Sequence, residues 1–227
     1  MRHRSGYELI VMAAFLCWLT SPAIAWPAEP PSHILGEIRA ALEKNPDLEA
    51  WHHIYISLGI VPKLDSSAFR FEYAESFPDL HAHGFIMEVE DGFPDSTSAV
   101  FVRSPDRTHA LFWSPMGGDI DSDASLVNLE TREAVRVVQC GSSCIVELCA
   151  WLAPRQFVIA LVWENQDESG LVGYHLRFLH FDLAAGIVSH FRGPTLKPGV
   201  DEERSRAWCQ WLKQRFPQHR EYFLGCL

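Results

Sequence analysis

The chain has 227 residues, of which 48% are hydrophobic and 12% aromatic, and a formal charge of −10. So apolar a composition excludes a disordered polypeptide. The acidic balance repels phosphate backbones and sets nucleic acid aside as a partner.

The first residues carry the features of an export signal. Arg2 and Arg4 are basic, "LIVMAAFLCWL" (9–19) is apolar, and "AIAW" (23–26) offers a small-x-small cleavage site after Ala25. This predicts a signal peptide over residues 1–25 and a secreted or periplasmic protein. The apolar run is too short to span a bilayer, and no later stretch approaches that length, so no membrane span is expected after cleavage. Leu16 stands before Cys17 where a lipoprotein site wants a small residue, which argues against a lipid anchor. Losing Arg2, Arg4 and Glu8 takes the 19 basic and 29 acidic side chains to 17 and 28, a formal charge of −11. What remains is about 200 residues, enough for one monomeric domain with a core of its own.

An N-terminal helical segment is expected over 26–62. Ile34, Leu35, Ile38, Ala41 and Leu42 recur at helical spacing behind Ser32 as cap. "NPD" (45–47) ends that helix and starts another, with Asn45 as cap and Pro46 in the first turn. Leu48, Trp51, Tyr55 and Leu58 line one face of the second helix, and Gly59 sits beyond its end.

From residue 63 to 197 the period changes to two. "AFRFEYA", "GFIMEVE", "SAVFVRS" and "HALFWS" alternate as half-buried strands do. "SLVNLE", "AVRVVQ", "IVELCAWL", "QFVIALVWE", "YHLRFLHFDL" and "IVSHFRG" follow. "SPDR", "TRE", "APR" and "AAG" are of hairpin length. The expected class is α+β: mainly an antiparallel β meander, with an N-terminal helical pair and a C-terminal helix. That last helix is placed at 201–216 within a final segment, 198–227, with Trp208, Trp211, Leu212 and Arg215 on one face.

"SPDRTHALFWSP", "ASLVNLETREAVRVV", "CAWLAPRQFVIALVWE" and "LRFLHFDLAAGIVSHFRG" resemble successive strands of β-propeller blades over residues 104–193. The resemblance implies antiparallel hairpins; so few strands make about two blades, too few to close a ring. A Cys-x-x-x-Cys before a "WL" strand is similar to one in uncharacterised secreted bacterial proteins, a likeness that implies no activity.

Three stretches suggest chemistry. In "GGDIDSDASLVNLE", Asp119, Asp121, Asp123 and Ser125 occupy alternate positions of an EF-hand-like register that Glu130 closes, so calcium is the possible cofactor. Against this, Ala124 stands where a turn wants glycine, and "SLVNLE" reads as a strand, which favours an acidic hairpin loop. "PDLHAHGF" pairs His81 with His83, two metal ligands if His52, His53 or Glu88 supplied a third; the local string looks like that of amidohydrolase barrels, whose length and strand–helix alternation this chain lacks. "CGSSC" reads as a structural disulfide, Cys140–Cys144, with Cys209–Cys226 as a second pair and Cys149 buried and free. Trp51, Trp113, Trp151, Trp163, Trp208 and Trp211 offer rings that stack on sugars, but their apolar settings place them in the core. No nucleophile elbow, phosphate loop or His-Glu-x-x-His is present. The expectation is an exported binding or structural module of the cell envelope or extracellular space. The alternatives are a small metal-dependent hydrolase using His81 and His83, and a calcium-stabilised adhesion or sensing domain.

Overall fold

A computed structural model describes residues 32–59, 68–77, 87–88, 100–113, 122–140, 144–166, 172–196 and 201–217. The predicted signal peptide, 1–25, lies outside them. Two helices come first, α1 (Ser32–Lys44) and α2 (Pro46–Ser57). Asn45 separates them: its backbone is extended, and its Oδ1 accepts the N–H groups of Asp47 and Leu48 at 3.0 and 3.2 Å. Those are two of the donors a helix start leaves without partners. The Asn45 amide nitrogen meanwhile donates to the Trp151 carbonyl, which fastens the corner to a strand. Leu48, Trp51 and Tyr55 are buried as their spacing predicts, and Gly59, at φ +61°, turns the chain away.

Among the described residues ten strands form two antiparallel sheets. Sheet I has the order β1 (Arg70–Ser76), β10 (Ile187–Thr195), β9 (Val172–Asp182), β8 (Gln156–Gln166), β7 (Cys144–Ala153). Sheet II has the order β2 (Met87–Glu88), β6 (Glu133–Gln139), β5 (Asp123–Asn128), β4 (His109–Trp113), β3 (Val100–Arg103). Each is a four-strand meander with one earlier strand added at its end. The class is thus the expected α+β with mainly antiparallel strands, although the meander is divided in two. The division falls where Cys140 and Cys144 are joined by a disulfide, between β6 and β7. Ser122 secures the same corner, its carbonyl accepting Cys140 N–H and its hydroxyl accepting Val146 N–H, both at 2.9 Å.

The strand expected at 125–130 runs instead from Asp123 to Asn128. Asn128 Oδ1 accepts the N–H groups of Glu130 and Thr131, a local turn that ends the strand early. The final helix, α3 (Asp201–Arg215), buries Trp208 and Leu212, and Arg215 donates to Asp47 of α2. Trp51, Trp113 and Trp151 are also buried, while Trp163 and Trp211 are half-buried. Cys209 is disulfide-bonded; its expected partner, Cys226, lies outside the described residues. Cys149 is free and buried. Among the described residues no helix is long and apolar enough to cross a membrane.

The helices meet sheet I through one carboxylate. Val146 pairs with Leu161 and Leu148 with Ala160, so Glu147 is the extra residue of a β-bulge. The bulge turns it to the helix side, where it is 1% exposed. Trp51 Nε1 and the Tyr55 hydroxyl of α2 donate to its Oε2 at 2.8 and 2.6 Å, and Arg204 of α3 donates to its Oε1. Burial, then the adjoining Glu147 charge, raises the Tyr55 phenol well above its ordinary pKa. Removing one partner of such a pair strands a buried charge, so Glu147→Ala is expected to lower unfolding free energy by about 3–5 kcal/mol in urea melts. Glu147→Leu combined with Arg204→Met is expected to lose much less. Equal losses would show that the ion pair is not what holds the helices.

Candidate functional site

Register assigns each side chain of sheet I to a face. Phe178 of β9 meets Trp51 and Phe69, so its face is the one the helices cover. The opposite face carries His175 and Arg177 of β9, His190 and Arg192 of β10, and Trp163 of β8, since these residues pair directly across the ladder or alternate with those that do.

Strand β1 adds two more. Phe71 pairs with Phe191 and Tyr73 with His190, so Glu72 is the extra residue of a second bulge. Consecutive residues then share a face. Glu72 reaches Arg177 at 2.9 Å and Arg192 at 4.0 Å, on the same side as Tyr73. A third irregularity, at Gly193 and Pro194 of β10, flanks the cluster. A Cβ on Gly193 would stand 2.6 Å from the Phe69 ring, so the bulge admits only glycine there without displacing that ring.

The groups interlock. The Arg177 guanidinium lies 4.8 Å from the centre of the Trp163 ring and donates through Nε to His175 Nε2 at 3.2 Å. Since His175 Nε2 accepts, the ring proton sits on Nδ1, which is buried without a hydrogen-bond partner. Burial, reinforced by the Arg192 and Arg177 charges, lowers the His175 pKa to about 4. His190 is also lowered by burial, against the opposing pull of Glu75, 2.9 Å away. Tyr73 stacks on His190 with ring centres 4.1 Å apart and planes 17° apart. Among the described residues Tyr73 is the large hydrophobic side chain left exposed, at 46%.

Chemically the cluster is a fixed set of hydrogen-bonding groups beside an aromatic platform. Glu72 is held by two arginines, Glu75 by His190, and His175 is neutral near pH 7.

Of the residues singled out from sequence, Asp119, Asp121, His81 and His83 are outside the described residues. Asp123 opens β5 and pairs with Arg136 at 3.2 Å, and Ser125 is buried in the same strand. His52 and His53 are neighbours on α2, where His53 faces Glu49 at 3.8 Å, and Glu88 belongs to β2. Among the described residues no trio of His, Cys, Asp or Glu is placed to hold a metal. What the sequence did offer was a repeated His-x-Arg, "HLR" at 175–177 and "HFR" at 190–192, polar pairs at period two inside apolar strands. No protein-family model, curated protein or solved structure matches the chain.

The low value at His175 fixes a pH dependence. Between about 4 and its ordinary 6.5 the unfolded chain binds a proton that the folded one refuses, so stability is full above that window and falls as pH drops through it. Urea midpoints measured from pH 7 to 4 are expected to decline less steeply in His175→Gln than in the parent. Parallel curves would mean that His175 does not titrate differently on folding.

Proposed function

We propose that this chain is an exported, non-catalytic binding module of the cell envelope or extracellular space, and that the bulged face of sheet I recognises a saccharide. Export is supported by the signal-like first 25 residues and by the Cys140–Cys144 disulfide, a bond that persists in oxidising compartments. The observation that carries the ligand class is the exposed Tyr73 ring, held flat on His190 beside the row Glu72, Arg177 and Arg192. A pyranose presents C–H groups on its faces and hydroxyls around its rim. An immobile aromatic face takes the first, and planar guanidinium and carboxylate groups take the second.

Rigidity favours binding here, because donors already fixed by one another lose little entropy when a ligand arrives. The test is a glycan array followed by calorimetry on each hit. Tyr73→Ala is expected to weaken a hit about three- to tenfold, the range of one aromatic contact worth about 0.5–1.5 kcal/mol. Circular dichroism should show the variant folded, since Tyr73 is exposed. An array without hits, or unchanged affinity in Tyr73→Ala, would sink this reading.

A further inference from the structure

A second feature lies at the other end of sheet I. Helix α1 and the β7–β8 hairpin enclose an open groove of about 410 Å³, within the size range of small-ligand sites. From α1 it is lined by Glu37, Ala40 and Lys44, and across from them by Pro46, Leu152 and Gln156.

The positions on α1 set a length and a polarity. Glu37 and Lys44 are seven residues apart, two turns, so they stand on one side of the helix about 10.5 Å apart along its axis. Ala40 lies between them and leaves the middle of the groove open. Glu37 Oε2 lies buried 3.7 Å from His180 Nε2, while the side chain is 38% exposed. Lys44 is exposed at the last turn of α1. The groove thus has an anionic end and a cationic end.

The opposite wall is built for a backbone. Trp151 pairs with Phe157 and Ala153 with Gln156, so Leu152 is the extra residue of another bulge. Gln156 Nε2 donates to Asp182 at 3.1 Å, which leaves the Gln156 amide oxygen as an acceptor. Ala40, Pro46 and Leu152 supply apolar contact between the charged ends.

We infer that this groove binds a short peptide with both termini free, its ammonium at Glu37 and its carboxylate at Lys44. An extended chain advances about 3.3 Å per residue, so a tripeptide matches the separation. This site is independent of the saccharide face, because it shares no residue with the cluster around Arg177.

The experiment is calorimetry of the full chain with trialanine, N-acetyl-trialanine and trialanine amide. Trialanine is expected to bind, and each cap to weaken it about tenfold, the scale of one charge-assisted hydrogen bond. Lys44→Glu should abolish discrimination against the amide while keeping discrimination against the acetylated form; Glu37→Gln should do the converse. Tyr73→Ala should leave all three affinities unchanged, which separates failure here from failure of the saccharide reading. No binding of trialanine at millimolar concentration, or capped forms binding as tightly as the free peptide, overturns the inference.

Discussion

A single buried carboxylate decides how the helices sit on the sheet. Glu147 is taken out of water at a cost of several kcal/mol, and that cost is offset only if every lone pair finds a donor. Trp51, Tyr55 and Arg204 supply them from α2 and α3. Apolar contact alone would let α2 slide along sheet I, because hydrophobic burial is not directional. The carboxylate admits one arrangement, in which Trp51 also packs on Phe178 with ring centres 5.2 Å apart. With α2 so placed, Arg215 of α3 reaches Asp47, and Asn45 reaches the Trp151 carbonyl. The groove beside α1 and the geometry of the helix-covered face follow from that placement.

Glu147 reaches its donors because of a bulge, and the same device recurs wherever sheet I does something other than pack. The bulge at Glu72 brings an acid and an aromatic ring to the face opposite the helices. The one at Leu152 shapes the groove, and the one at Gly193 and Pro194 lets the Phe69 ring lie against the β10 backbone. An unbulged strand sorts its residues strictly onto two faces. Each extra residue breaks the alternation once and delivers two neighbours to one side. A polar cluster is thereby built on one face of a sheet whose other face packs aromatic side chains, Phe178 and Phe191 among them, beneath the helices.

This explains how far the sequence could be read. The strands, the Asn45 cap, the Cys140–Cys144 bond and the buried faces of α2 and α3 are local matters of period, capping and spacing, and they were legible. In "FRFEYA", however, strict alternation groups Phe71 with Tyr73, whereas the structure packs the half-buried Phe71 on Phe191, on the helix-covered face, and exposes Tyr73 on the other. Nothing in those letters marks an inserted residue, since a bulge is set by the partner strand 115 residues away, where Glu75 meets His190. The pairing of β1 with β10, and so the assembly of the polar cluster, is long-range in the same sense. Glu147, within "IVELCAWL", reads as an exposed acid for want of any local sign of Trp51, Tyr55 and Arg204. The acidic register at 119–125 drew attention through its spacing alone, yet its described members, Asp123 and Ser125, are strand residues.

The two faces of sheet I also differ in how they treat charge, and the difference bears on function. On the helix side a carboxylate is buried with a full complement of donors, which serves position. On the other side guanidinium groups, carboxylates and two buried imidazoles restrain one another beside an exposed aromatic ring. His175 lies between two arginines whose charges add to burial in lowering its proton affinity, so it stands neutral near pH 7. Around Arg177, then, charge serves to fix neighbouring side chains, and Tyr73 is left open beside them.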